Sequence, residues 1–342
     1  MSEDRDNGRA FCGAAPLLSI AIPTYNRSSR LRECLNMLTE RISELNYKAS
    51  HIEIVVVDNA STDETAEVVK SFYLKFERLV YAKNDRNLGI DGNIHRCSQL
   101  ATGVFVQLLS DDDVLLPGAL LHLLEQIDRY SSADFLFLNP VTFVDSLPSD
   151  KELKPEIFIN SDIVCVDQNQ VIATCGIWLT FLSSFVFRRS AWNRSDSLEK
   201  YLGTDIYLSY ALFDLLSKAA ISIIVARPLI AARAHFSGSY RIFYAFGFQW
   251  AALLLERAPS LGFDFATMKR TLHRSIRQDL LRRVIGYRCD KSELTKEEIR
   301  YIFHGVRGLS PVSFLLWLSV KFPRRLLISL VVSIKYLRNL YR

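Results

Sequence analysis

Short apolar runs alternate with amphipathic stretches through the first 140 residues, and this alternation limits the fold more than any other feature of the sequence. Leu17 to Ile22 is an apolar run that ends at Pro23. Leu31, Cys34, Leu35, Leu38, Ile42 and Leu45 then recur at helical spacing. Ile52 to Val57 is a second, β-branched run. Ser61 and Glu64 have the spacing of a capping box ahead of Ala66, Val69, Tyr73 and Phe76. Leu79 to Ala82, Val104 to Leu109 and Phe135 to Leu138 read as further strands. Ile90 to Ala101 reads as a helix, and Pro117 suits the first turn of another.

Strands and helices in this order predict βαβ units and a mainly parallel sheet flanked by helices. Right-handed crossovers would bring the strand C-termini to one edge, where ligands of such sheets bind. The residues just after each strand are therefore the informative ones. They are Pro23-Thr24-Tyr25-Asn26, Asp58 to Asp63, and Ser110-Asp111-Asp112-Asp113.

A chain of 342 residues, 49% of them hydrophobic, is long enough for one large α/β domain with an appendage. A net charge of +5 is too mild to indicate nucleic-acid binding. The six cysteines include no C-x-x-C pair, so reduced thiols and a reducing compartment are expected. The first sixteen residues are polar and read as a tail, without the pattern of a secretory leader. A cytoplasmic location is the corresponding expectation.

The second half is less regular. Trp178 to Phe187 has strand character, Asp205 to Ser217 helical periodicity, and Ile221 to Ala226 strand character again. From Tyr240 the chain reads as helical, an extension expected over 240–307. The last segment, 308–342, carries Arg and Lys but no Asp or Glu. Its apolar runs, Val312 to Val320 and Leu326 to Ile334, are each too short to span a bilayer. Basic, aromatic and aliphatic residues together suit a helix lying on an anionic leaflet, with docking on the rest of the chain as the alternative.

Three adjacent carboxylates behind an apolar strand repel one another, and desolvation aggravates the conflict. A divalent cation such as Mg²⁺ or Mn²⁺ at Asp111 to Asp113 resolves it and can bridge a diphosphate. The plainer alternative is an acidic turn ahead of a helix. Asp58 directly follows Val55-Val56-Val57 and can accept hydrogen bonds from a base or ribose, or serve as a turn residue.

The four clusters Pro23-Thr24-Tyr25-Asn26, Asp58 to Asp63, Asn87-Leu88-Gly89 and Ser110 to Asp113 with Pro117 resemble, in order and separation, the family 2 glycosyltransferases of the GT-A fold. The details are most similar to the abequosyltransferase-like bacterial branch, which builds O-antigen and related surface polysaccharides. The resemblance spans about the first two-thirds of the chain. It implies a Rossmann-like GT-A domain over 17–239, a nucleotide-diphosphate sugar donor, a lipid-linked glycan acceptor, and a place on the inner face of the plasma membrane.

It also implies roles. Pro23, Thr24 and Tyr25 would line the nucleotide pocket, and Asp58 would bond the base. Asn93 and Arg96 would contact the nucleotide, Asp111 the ribose, and Asp112 the metal. Ser110 stands where many members have Asp, so the D-x-D is shifted to Asp111 and Asp113, and one or both of Asp112 and Asp113 would hold the metal. Leu202-Gly203-Thr204-Asp205 resembles the family's late E-D motif, which makes Asp205 the candidate general base; capping the next helix is the alternative. Arg233-Ala234-His235 resembles the R-x-H segment, where His235 would complete the metal site or meet the diphosphate.

A sugar nucleotidylyltransferase would need a glycine-rich phosphate loop after the first strand, and Pro23 to Asn26 holds no glycine. A non-catalytic nucleotide-sugar or carbohydrate-binding protein would not need Asp112 or Asp205.

Overall fold

The strand Ile52–Asp58 is buried along its whole length, as a β-branched run between two helical layers must be. It is β2 of a nine-stranded sheet in a computed structural model that describes residues 15–45, 50–144, 153–195, 197–234, 241–290, 293–304 and 310–327. The chain divides into two compact units, Met1–Gly238 and Ser239–Arg342.

In the first unit β1 (Leu18–Thr24), α1 (Ser28–Ser43), β2, α2 (Thr65–Lys70), β3 (Leu79–Lys83), α3 (Gly89–Leu100) and β4 (Phe105–Leu108) follow in order. Next come β5 (Val114–Leu115), α4 (Ala119–Arg129), β6 (Phe135–Phe143), β7 (Ile163–Cys165) and α5 (Gln168–Cys175). The unit closes with β8 (Phe185–Arg188), α6 (Arg189–Trp192), α7 (Tyr207–Leu216) and β9 (Ser222–Arg233). The sheet order is β3-β2-β1-β4-β8-β6-β9-β5, with β7 paired to β9. β3, β2, β1 and β4 are mutually parallel, and β6 is parallel to β9. β8 enters antiparallel between β4 and β6, and β5 and β7 run antiparallel to β9.

The mainly parallel α/β sheet is therefore as expected. Three strands point the other way, so not every strand ends on the ligand edge. Alternate residues of each strand face opposite layers. Leu18, Ile20, Ile22, Ile54 and Val56 join one core with Leu31, Leu35 and Leu38 of α1 and Leu120, Leu123 and Ile127 of α4. α3 packs on β1 and β2, and α7 packs on α3.

Three local expectations are corrected. Ser61 and Glu64 form no capping box: α2 begins at Thr65 with no side-chain cap on its Glu64 N-cap, and the Ser61 hydroxyl instead accepts the Asn26 N–H at 2.8 Å. Trp178 to Ser184 is not strand but lies in two 3₁₀ turns, Gly176–Thr180 and Leu182–Ser184, joined at Phe181, and only Phe185–Arg188 pairs in the sheet. Pro117 precedes α4 rather than opening it, because Gly118 adopts φ +69° before the helix starts.

The second unit is helical. π turns at Phe243–Gln249 and Leu253–Arg257 alternate with short α8 (Trp250–Ala252) and α9 (Ala258–Ser260). Then come α10 (Phe265–Ser275), a π turn (Ile276–Leu280), α11 (Leu281–Cys289), α12 (Lys296–His304) and α13 (Ser310–Lys321). α13 packs along α11, where the Arg288 guanidinium donates to the Val320 and Phe322 carbonyls at 2.7 and 2.8 Å. Leu316 and Val320 are buried there, while Phe314, Trp317 and the following Leu326 are exposed. Among the described residues no helix is long and apolar enough to cross a membrane. Cys34, Cys97, Cys165 and Cys289 are free thiols.

Candidate active site

The strand order reverses direction of growth at β1, with β2 on one side and β4 on the other. Such a switch point leaves a crevice beyond the strand C-termini. Thr24 ends β1 and Asp111 follows β4, and the Thr24 hydroxyl donates to the Asp111 carboxylate at 2.7 Å. Arg27 reaches the same turn, with Nη1 at 2.8 Å from Asp111 and 3.2 Å from Asp112. Burial raises Asp111 above the usual carboxylate range, although the Arg27 charge and the Thr24 bond oppose it.

The three adjacent aspartates are not equivalent. Asp113 points inward: one oxygen accepts the Ser183 hydroxyl at 2.6 Å and the other the Arg233 N–H at 3.1 Å. Burial, then the neighbouring Asp112 charge, pushes Asp113 up to about 7. Asp112 is the one whose side chain keeps 16% exposure; it accepts the Ser110 hydroxyl at 2.7 Å. Among the described residues no three His, Cys, Asp or Glu side chains form a ready-made metal cage. His235 lies outside the described residues.

The donor chemistry nevertheless fits a hard cation. Two buried carboxylates with raised pKa flank one accessible carboxylate, and an octahedral Mg²⁺ or Mn²⁺ commonly takes one or two protein carboxylates and completes its shell with phosphate and water.

On the other flank Asp58 is fully buried at the end of β2. It accepts the Ser61 N–H at 2.8 Å and the Tyr81 hydroxyl at 2.7 Å, with the Lys83 ammonium 4.0 Å away. Tyr25 stands 42% exposed at the rim, two residues past the half-buried Pro23 and beside Asn26, which takes φ +51°. Asn93 is buried, and its amide donates to the Val57 carbonyl at 3.0 Å and accepts from Asn84 at 3.0 Å. Arg96 is part-buried on α3, one turn on, and its Nε has no hydrogen-bond partner among the described residues.

Asp205 is part-buried in the turn before α7, with φ +60°. One support of this turn is not visible in the sequence. Asp91, in the first turn of α3, accepts the N–H groups of Gly203, Asp205 and Tyr207 at 2.9, 2.9 and 3.3 Å. Its only sequence signal is an acid at a helix N-terminus, which ordinarily denotes a local cap.

The profile of Glycosyl transferase family 2 matches residues 19–191, and the chain belongs to that family. Over 235 residues it is 28% identical to the abequosyltransferase RfbV of Salmonella typhimurium, covering 64% of this chain and 66% of that protein. Over 115 residues it is 34% identical to the GalNAc(5)-diNAcBac-PP-undecaprenol beta-1,3-glucosyltransferase of Campylobacter jejuni, covering 33% of this chain and 35% of that one. The chain thus spans between about a third and two-thirds of the length of these curated relatives. Among solved structures, S. aureus TarS in complex with UDP-GlcNAc superposes with a TM-score of 0.61 at 17% identity, covering 84% of this chain and 79% of that one. That likeness establishes the shared GT-A architecture.

Proposed function

We propose that the chain transfers a hexosyl or deoxyhexosyl group from a nucleoside-diphosphate sugar to a hydroxyl of a lipid-linked glycan, in O-antigen-like bacterial surface polysaccharide synthesis. The observation that carries this reading is the convergence of Thr24, Arg27, Asp111 and Asp112 at the β1/β4 switch point. The similarity to RfbV and to the C. jejuni enzyme, whose name specifies a diphosphate-undecaprenol acceptor, supports the surface-polysaccharide assignment.

In this reading Pro23, Thr24 and Tyr25 line the nucleotide pocket, and the exposed Tyr25 ring stacks on the base. Asp58 accepts from the base edge; its oxygens each retain a lone pair beyond those used by Ser61 and Tyr81. Asp111 meets the ribose. Asp112 holds the Mg²⁺ or Mn²⁺, and Asp113 sits one layer behind, fixing the turn through Ser183 and Arg233. The cation, when bound, neutralises charge on the departing diphosphate. Asn93 holds the strand ends in place, and Arg96, one turn further along the same helix, contacts the nucleotide. His235 would join the diphosphate side. Asp205 takes the proton of the attacking hydroxyl.

The 17–239 segment is the catalytic domain in this proposal, 240–307 its helical extension and 308–342 a membrane-associating segment. The exposed Phe314, Trp317 and Leu326, beside Lys321, Arg324 and Arg325, suit contact with the anionic cytoplasmic leaflet. A screen of nucleotide-sugars for donor hydrolysis, with and without Mn²⁺, tests the reading. Metal-stimulated release of one nucleoside diphosphate is expected. No hydrolysis of any donor, together with no thermal shift by any nucleoside diphosphate, would overturn it in favour of a non-nucleotide binding protein.

A further inference from the structure

Asp205 has a left-handed backbone, a conformation uncommon for residues other than glycine. Gly203, two residues earlier, is also left-handed at φ +86°. Gly203 takes this conformation without strain, but Asp205 is not held in it by local preference alone. Its amides converge on Asp91, whose Oδ2 accepts from Gly203 and Asp205 and whose Oδ1 accepts from Tyr207, the first residue of α7. Asp91 is 5% exposed and lies within the first turn of α3, yet makes no side-chain cap on its own helix. The same helix is fastened to the donor side, because Asn93 donates to the Val57 carbonyl in β2 and, at 3.5 Å, to the Thr24 carbonyl in β1. One helical turn thus joins the ends of the donor-side strands to the turn that carries Asp205.

We propose that Asp91 is a positioning residue that locks the Gly203–Tyr207 turn, holding the Asp205 carboxylate at a fixed place relative to the donor pocket. The idea rests on the reading of Asp205 as general base. A base misplaced by about 1 Å can lose on the order of 10²-fold in rate without any change in the residues that bind the nucleotide. Asp91 needs no contact with either substrate for this. Its two oxygens satisfy three amides at once, a task that neither Asn, with one acceptor oxygen, nor Ser can repeat. The burial that raises its pKa is the counterpart of this inward placement, since the carboxylate is turned from water toward the backbone.

The test uses Asp91→Asn, Asp205→Asn and the double variant in the full chain. Asp91→Asn should lower transfer at saturating donor by roughly tenfold or more, with donor affinity by titration changed by no more than about twofold. The double variant should be no slower than Asp205→Asn alone, because a residue that acts only through Asp205 has nothing left to act on. Amide hydrogen exchange at Gly203, Asp205 and Tyr207 should quicken in Asp91→Asn, while the core strands keep their protection. Losses that multiply in the double variant would overturn action through Asp205, and unchanged exchange would overturn the lock itself. Normal transfer by Asp205→Asn would instead remove the general-base reading, an outcome distinct from both. If Asp91→Asn does not fold, Asp91→Ser, which retains one acceptor, takes the same measurements.

Discussion

The Tyr81 hydroxyl donates to the buried Asp58 carboxylate at 2.7 Å, so the acid at the end of β2 is held by a side chain from the neighbouring edge strand β3. Tyr81→Phe leaves one oxygen of a fully buried carboxylate without that donor. A stability loss of about 1–3 kcal/mol is expected, read by urea denaturation. Nucleoside-diphosphate affinity should fall in parallel, since Asp58 would then turn toward Lys83. Unaltered stability and affinity would mean the hydroxyl is dispensable to this corner of the pocket.

The acidic turn makes different predictions for adjacent residues. Asp112→Asn should keep the fold and abolish Mn²⁺-dependent binding of UDP or CDP, because a hard anionic ligand is lost. Asp113→Asn should weaken the fold first, because Asp113 accepts from Ser183 and the Arg233 backbone. Isothermal titration with and without Mn²⁺, alongside melting curves, separates the two; equal metal binding in the wild type and Asp112→Asn would refute the assignment.

Asp205→Asn preserves a residue type that tolerates φ +60°. Transfer should therefore drop about 10²- to 10⁴-fold with donor affinity nearly intact, as removal of a general base requires. The N-cap of α7 is Ile206 rather than Asp205, and a purely structural role for Asp205 in the turn predicts near-normal transfer, since Asn tolerates the same backbone.

Burial pushes Asp91 up to about 6, against the pull of its backbone N–H bonds and with the help of the Asp205 charge. The other titratable group facing it is the Tyr207 phenol, itself raised by burial and bonded to the His95 ring, which faces Glu199. A folded pKa above the unfolded value near 4 contributes stability that is fully present below pH 4 and is lost as pH rises through about 6. Asp91→Asn lacks this dependence. The stability difference between variant and wild type should therefore move in the variant's favour by up to about 3 kcal/mol between pH 4 and 7. A difference that stays flat in urea titrations across that range would show that Asp91 does not titrate there.

α13 has one buried and one exposed face. Substituting Phe314 and Trp317 by Ser should leave the melting temperature close to wild type and reduce co-sedimentation with vesicles containing anionic lipid. Removing α13 altogether should destabilise the second unit, because Leu316 and Val320 are buried and Arg288 bonds carbonyls at the helix end. Undiminished vesicle binding by the double Ser variant would show that Phe314 and Trp317 are not the membrane contact.

Local patterning makes the first half of the fold legible. β1, β2 and β4 are short apolar runs buried on both sides, and the polar residues that follow them meet at one crevice. Sequence and structure part where distant partners outweigh local preference. Ser61 has the spacing of a cap, but Asn26 claims its hydroxyl from another strand end. The aromatic run at Trp178 reads as strand, yet the chain must turn there to bring Ser183 beneath Asp113. Asp91 is hidden for the same reason: the amides it serves are more than a hundred residues away. The carboxylates of the acidic turn are visible as a group, but only burial distinguishes the outward Asp112 from the inward Asp113.

The insertion of β8 between β4 and β6 has a consequence for synthesis on the ribosome. A nascent chain that has emerged through Leu108 can already pair β3, β2, β1 and β4, since these neighbours are supplied in nearly sequential order. The outer edge of β4 then stays unpaired until Phe185–Arg188 arrives, after both β6 and the 3₁₀ turns have been made. Throughout that interval the growing protein displays an open, apolar strand edge of the kind that invites pairing with another chain.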